Sequence, residues 1–225
     1  MLEIVYQDED LIVINKPHGL LVHRSKIAND ATEFALQILR DQVGRHVSPV
    51  HRLDRKTGGL LMFAFNKEAE IAMHLQFQES AVQKKYKAIV RGFAPDALDI
   101  DYPLVKENGA IQEAFTSFVT LSRAELPIPL GNHPTSRYSL VEATPTTGRM
   151  HQLRKHFAHI FHPIIGDRKH GCNKQNRFFK EQWEMTTMLL HASELTFIHP
   201  VTKKQIHLTA DLQDEFKRVM QLMGW

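Results

Sequence analysis

The run Gly59-Leu60-Leu61-Met62-Phe63-Ala64-Phe65 constrains the fold most. Apolar side chains at consecutive positions leave no face for water, so the run reads as a strand covered on both sides, with a layer of structure on each. The segment before it differs, because Ser48 to Leu53 alternates apolar and polar residues as a half-buried strand does. Between them lies a turn through Thr57-Gly58-Gly59, whose glycines accept backbone conformations and close approaches that a Cβ resists. Asp54 is therefore expected where an ordered strand meets a permissive turn, with Arg52, Arg55 and Lys56 around it. Cations beside a carboxylate favour its ionised form, the form that acts as nucleophile or base. An Asp after a strand is also a common turn residue bonded to its own backbone, and the spacing alone does not choose.

Upstream, Glu3 to Tyr6 and Leu11 to Asn15 are short apolar runs that predict an antiparallel hairpin, ended by Lys16-Pro17-His18-Gly19. Asp30 with Glu33 forms a capping box for a helix running to about Val43 with Phe34 and Ile38 on its apolar face. A second helix from near Asn66 carries Ile71, Met73, Leu75 and Phe77 and ends before Val82. Gln83 to Arg91 alternates as a strand, with Tyr86, Ala88 and Val90 on one face, and Tyr86 read by pattern alone is a half-buried strand tyrosine. Strands are expected over Gln112 to Arg123 and Ser139 to Ala143, separated by a Pro- and Gly-bearing loop. A helix opens after Gly148, with Met150, Leu153, Phe157 and Ile160 at core spacing and Arg154 on the edge of that face. Strands from Leu189 through Ile198 and from Gln205 to Thr209, then a helix from Leu212 to Met223, complete the chain.

The formal charge of +3 is mild, but its distribution is not. From Arg149 to Lys180 there are eight Lys or Arg against one acid, Asp167, a one-sided stretch that suits a phosphate backbone and also fits a solvated basic face. His151, His156, His159, His162 and His170 raise a metal site, yet no His-Glu-x-x-His and no cysteine pair is present, and no metal is expected. The single cysteine, Cys172, sits in a polar, loop-like stretch and excludes an intrachain disulfide. No apolar run approaches the roughly 20 residues that span a bilayer, and Met1 to Tyr6 lacks the basic region and apolar stretch of a secretory signal, so a cytoplasmic chain without a membrane partner is expected.

Five ordered segments together resemble the pseudouridine synthases, in the branch typified by the ribosomal large subunit synthase A. They are Lys16-Pro17-His18-Gly19 with Leu21-Val22-His23; His51-Arg52-Leu53-Asp54 with Thr57-Gly58; Lys85-Tyr86-Lys87-Ala88; Gly148-Arg149-Met150-His151-Gln152-Leu153-Arg154; and Pro163-Ile164-Ile165-Gly166-Asp167. The family usually has Ser where this chain has Gly59, Ile where it has Leu153, and Tyr-Gly where it has His170-Gly171. The resemblance implies an α+β pseudouridine synthase fold, with a long, mixed but mainly antiparallel sheet, flanking helices and a central RNA-binding cleft. It also implies one catalytic domain over residues 1–225 without a separate N-terminal RNA-binding domain, and a monomer.

The reaction implied is isomerisation of uridine in RNA to pseudouridine, which requires no cofactor. The family's roles fall on Asp54 as nucleophile, Arg154 as its ion-pair partner, and Tyr86 as the ring that stacks on the base with its hydroxyl near the carbon to be deprotonated. Leu190 would pack beneath these groups, Arg52 would enter the stack vacated by the flipped base, and His51, Arg149 and Lys155 would line the substrate. Within the family the turn after Asp54 is similar to a tRNA-directed branch whose target is uridine 65 of tRNA. A synthase acting on both rRNA and tRNA is the alternative, and a non-catalytic RNA-binding module on the same fold is the rival from another class.

Overall fold

In a computed structural model the described residues are 1–23, 33–130 and 133–225. Contacts divide the chain into two compact units, one of Met1–Lys84 with Ala192–Gln213, the other of Lys85–His191 with Asp214–Trp225. Among the described residues the fold is α+β, with five helices and mostly antiparallel strand pairing.

The first unit starts with the expected hairpin, β1 (Glu3–Gln7) and β2 (Leu11–Lys16). Helix α1 (Ala35–Val43) ends where the sequence predicts, at Gly44 in the left-handed region with φ 67°. Phe34 is the residue before it and makes no side-chain cap; the Asp30 of the expected capping box lies outside the described residues. Strand β3 (Ser48–Pro49) is short, and β4 (Gly58–Ala64) is buried at every position, as its continuous apolar run requires. β4 pairs with β2 on one side and meets β3 near its end. Asn66 caps α2 (Lys67–Gln78) through a 2.8 Å bond from the Ala69 N–H. Met73 is buried there, but Ile71 and Leu75, expected on the apolar face, are exposed at 51% and 50%. They lie four residues apart, on a side of the helix that covers nothing in this unit. Leu11, Val13, Leu60, Met62, Met73, Leu195 and Phe197 form the unit's core.

In the second unit β5 (Gln83–Arg91), β6 (Ala97–Asp101), β9 (Phe115–Leu126) and β10 (Ser136–Pro145) form the order β5-β10-β9-β6. Between β6 and β9 a small hairpin, β7 (Leu104–Val105) and β8 (Ile111–Gln112), stands apart as its own sheet. Helix α3 (Gln152–His159) follows, and then α4 (Asn173–Trp183), which sequence reading treated as loop and basic surface. Its buried residues Gln175, Phe178 and Phe179 do follow helical spacing, but a glutamine stands where an apolar residue is looked for. Gln175 is buried because its Oε1 accepts the Tyr138 hydroxyl at 2.7 Å.

Strand β11 (Leu190–Ile198) contributes its residues from Ala192 onward to the first unit, where it forms a hairpin with β12 (Gln205–Thr209). Helix α5 (Asp214–Leu222) belongs to the second unit. Among the described residues no helix is long and apolar enough to cross a membrane.

Candidate active site

Asp54 lies in the irregular segment between β3 and β4. The half-buried strand expected over Ser48 to Leu53 stops at Pro49, and His51 supplies the reason. The Met62 N–H, which a continuing ladder would give to a backbone carbonyl, instead goes to His51 Nε2 at 3.1 Å, and the His51 ring stacks on Phe77 at 4.6 Å. Burial, with smaller contributions from Lys84 and His74, pushes the His51 imidazole down to about 3, so the ring is neutral and its Nε2 serves as an acceptor. A side chain thus takes over a strand hydrogen bond, and residues 50–57 leave the sheet as a loop. Arg52 is exposed on this loop, Leu53 is buried under it, and Asp54 is half-buried.

The turn at Lys16-Pro17-His18-Gly19, uninformative by sequence alone, holds the Asp54 loop. Lys16 is fully buried, and its Nζ donates to the carbonyls of Pro17 and Leu20 at 2.9 Å each and of Arg55 at 3.3 Å. Gly19 N–H donates to the same Arg55 carbonyl at 2.8 Å, and Arg55 Nε returns a bond to the Gly19 carbonyl at 3.0 Å. His18 Nδ1 donates to the Lys56 carbonyl at 2.8 Å, and Thr57 N–H closes the turn on the Asp54 carbonyl at 3.0 Å. Burial lowers the Lys16 ammonium to about 7 while the Asp54 carboxylate pulls the other way, which places a buried cation within electrostatic reach of Asp54. Gly59 is fixed as glycine: its φ is +104°, and a Cβ would lie 2.2 Å from the Ala192 carbonyl oxygen. The serine usual in the family at that position has no room on this backbone.

The second unit carries the other expected residues. Tyr86 stands opposite Ala143 in the β5–β10 ladder and packs, half-buried, on a core that contains Leu153, Phe157 and Leu190. Leu190 is 3% exposed, so the structure gathers Tyr86, Leu190 and the apolar face of α3 into one cluster. α3 begins later than the periodicity predicts. His151 adopts a left-handed φ of 58°, and the Gln152 Oε1 accepts the Arg149 N–H at 3.0 Å and the Thr147 hydroxyl at 2.7 Å. Met150 therefore precedes the helix and is 48% exposed, whereas core spacing placed it inside.

Arg154 makes a two-pronged ion pair with Asp167, Nε to Oδ2 and Nη2 to Oδ1, both at 2.8 Å. The side chains are 11% and 1% exposed, so the lone acid of the basic stretch is buried beneath a basic residue. Asp167 Oδ1 also accepts the backbone N–H groups of Lys169 and His170 at 2.9 and 3.1 Å. Burial pushes the Asp167 carboxyl up, but Arg154 and these N–H groups outweigh it and hold it below the usual carboxylate range. Sequence reading found Arg154 and passed over this partner. The signal was there in two forms, the family-like loop ending at Asp167 and its being the only acid in the stretch. Arg149 donates through Nε to the Glu113 carbonyl at 3.0 Å, and Lys155 through Nζ to the Val105 carbonyl at 3.3 Å.

The histidines of this region make hydrogen bonds and ring contacts within the protein. His156 is fully buried with Nε2 donating to the Tyr102 carbonyl and Nδ1 meeting the Thr116 hydroxyl, each at 3.0 Å, while His159 stacks on Tyr102 at 3.6 Å. His151 Nδ1 and His170 Nε2 share a 3.0 Å hydrogen bond. Among the described residues one group has ligand-like spacing, Asp8, Asp10 and His199, within 4.8 Å of one another. Asp8 is committed there to closing the β1–β2 turn: its Oδ1 accepts the Asp10 and Leu11 N–H groups at 2.8 Å, and its Oδ2 meets the Tyr6 hydroxyl and His199 Nε2.

Residues 10–159 match the family of RNA pseudouridylate synthases. The chain belongs to that family. The match covers the Lys-Pro-x-Gly turn, the Asp54 loop, Tyr86 and Arg154. Over the whole chain it is 45% identical to "tRNA pseudouridine synthase C" of Haemophilus influenzae, covering 99% of that protein, and 44% identical to the protein of that name from Vibrio cholerae, covering 97%. Two solved structures share the fold. Human RNA pseudouridylate synthase domain containing 1 aligns with a TM-score of 0.76 at 22% identity, over 100% of this chain and 95% of that one. Human RNA pseudouridylate synthase domain containing 4 aligns with a TM-score of 0.74 at 26% identity, over 99% and 93%. As a pseudouridine synthase the chain is an isomerase that acts on RNA.

Proposed function

We propose that this pseudouridine synthase acts on tRNA, converting uridine 65, in the cytoplasm. The observation that carries the tRNA assignment is the identity of 42–45% over the full chain to a series of proteins each named tRNA pseudouridine synthase C. The basic stretch from Arg149 to Lys180 and the exposed Arg52 supply cations for a phosphate backbone.

Asp54 is the nucleophile that releases uracil from the anomeric carbon of its ribose. Asp54 bonds to that carbon as N1 leaves; the detached ring turns, its C5 bonds to the carbon as the Asp54 ester bond breaks and the carboxylate is released, C5 loses its proton and N1 gains one, so atoms and charge balance without a redox partner. Tyr86 stacks on the detached base and assists removal of the C5 proton. Arg154 takes the cationic role that the family resemblance gives it. Its pair with Asp167 supports that role by fixing the plane of the guanidinium. Flipping the uridine out of a stem costs a few kcal/mol, and Arg52 fills the gap in the stack. Leu190 supports the Tyr86 ring from below, and Arg149 and Lys155 hold backbone phosphates. His51 contributes through the loop it shapes.

The test is to incubate the protein with unmodified tRNA and with rRNA fragments and to map pseudouridine. Formation at tRNA position 65 that disappears in Asp54→Ala is expected. Product that persists in Asp54→Ala refutes the mechanism, product in rRNA fragments as well points to the dual-specificity alternative, and no product with any RNA points to a binding module.

A further inference from the structure

A hollow of about 350 Å³ opens in the second unit between the β7–β8 hairpin and the residues around the start of α3. Its floor is Leu104, 4% exposed, and its apolar walls are Val105 and Met150, which remain 58% and 48% exposed. Lys106, Arg149 and Lys155 stand around it against one acid, Glu107. None of the three cations takes part in an ion pair among the described residues. Two backbone tethers keep the hollow in shape: Lys155 Nζ holds the Val105 carbonyl at 3.3 Å, and Arg149 Nε holds the Glu113 carbonyl at 3.0 Å. The hairpin turn is closed by Lys106 N–H to the Ala110 carbonyl at 2.9 Å and by Asn108 Oδ1, which accepts the Ala110 N–H at 3.2 Å. Asn108 also lines the hollow.

Apolar walls left open to water beside three uncompensated cations and an amide match one ligand chemistry, a flat heterocycle carrying a phosphate. We propose that the hollow receives one unstacked nucleotide of the RNA substrate, its base against Val105 and Met150 and its phosphates facing Lys106, Arg149 and Lys155. This rests on the reading that the substrate is RNA. Position supports it: Lys155, which lines the hollow, follows Arg154 directly on α3. The volume also suits a single nucleotide and is too small for a duplex. The Met150 that misses the core and the exposed Val105 thereby acquire a purpose that packing does not give them.

The test uses the protein and two variants of residues lining the hollow, Val105→Ser with Met150→Gln, and Lys106→Gln with Lys155→Gln. Urea midpoints are measured first to show that both fold. Pseudouridine formation in unmodified tRNA then gives kcat and KM, and tRNA binding is followed against salt concentration. The apolar pair is expected to raise KM roughly tenfold, about what losing one stacked base costs, with kcat within twofold and the salt slope unchanged. The charge pair is expected to raise KM as well and to lower the slope of log K against log salt by roughly 1.5, for two phosphate contacts. If the charge pair has its effect and the apolar pair none, the hollow is an ordinary basic surface and the proposal is overturned. It is equally overturned if neither variant moves KM. If the unaltered protein forms no pseudouridine in any RNA, the functional reading fails instead, and the outcomes are distinct.

Discussion

Replacing Asp167 with alanine should destabilise the protein by about 4 kcal/mol. The pair with Arg154 has two hydrogen bonds of 2.8 Å between side chains that are 11% and 1% exposed. Removing one partner of such a buried pair leaves a charge without compensation, at a cost of about 3–5 kcal/mol. The Lys169 and His170 N–H groups also lose their acceptor, at roughly 1 kcal/mol each, partly offset by water entering the space. The assay is urea unfolding followed by fluorescence of Trp183 and Trp225, with the loss read from the shift in midpoint at constant slope. A loss under about 1 kcal/mol, the range of exposed pairs, would refute the argument that this pair is buried and structurally committed. A double variant separates stability from chemistry: Arg154→Met with Asp167→Leu replaces both charges by apolar groups and should regain much of the stability, while pseudouridine formation stays lost. pH gives a third arm. Because the Asp167 carboxyl is held below its ordinary value of 3.8, its contribution is present above that value and is lost as pH falls through the folded-state value, so Asp167→Asn should flatten the acid limb of stability against pH.

Lys16 should add a rise of the same sign at higher pH. Its folded-state value of about 7 lies below the unfolded 10.5, so between them the unfolded chain binds a proton that the native protein does not, and stability should rise with pH over this window by up to about 1.4 kcal/mol per unit. Urea midpoints from pH 7 to 9 should show that rise, and Lys16→Met should remove it. Gly59→Ala should prevent folding or lower the thermal midpoint by tens of degrees, since the new Cβ meets the Ala192 carbonyl oxygen at 2.2 Å on a φ of +104°. Gly58→Ala meets side chains alone, the His18 ring at 2.8 Å and Gln213 Nε2 at 3.0 Å, and should cost far less in the same melt. Thr116→Val removes the hydroxyl between His156 and Gln152 and should cost roughly 2 kcal/mol in urea unfolding, because two buried polar groups lose a partner.

What could be read in the sequence were the elements whose side chains all answer to one neighbour. Gly59 to Phe65 is apolar throughout because β4 is buried throughout, and Gln205 to Thr209 alternates because β12 does, whereas β5 departs from its expected alternation by burying Ala88, Ile89 and Val90 in succession. Reading failed where a side chain did the work of the backbone. His51 took the Met62 N–H and cut a strand short, Gln152 fixed the start of α3 one turn late for Met150, and Gln175 filled an apolar position of α4 by bonding Tyr138. None of these leaves a trace in periodicity, because a polar residue at a buried position looks like a polar residue on the surface until its partner is known. The site follows the same rule. Asp54, Tyr86 and Arg154 are candidates through the resemblance, which spacing alone leaves open, whereas the bonds of Lys16 to the Asp54 loop and of Asp167 to Arg154 appear in three dimensions. The two supports share a form: each buries one charge, Lys16 on three carbonyls and Asp167 on a guanidinium and two N–H groups. A buried charge satisfied from several directions resists rotation more than an apolar contact of equal size, because every turn away from its partners leaves a desolvated ion behind. Rigid placement of a carboxylate and a guanidinium suits the reaction proposed for Asp54 and Arg154, and on that proposal the placement falls to residues outside the chemistry.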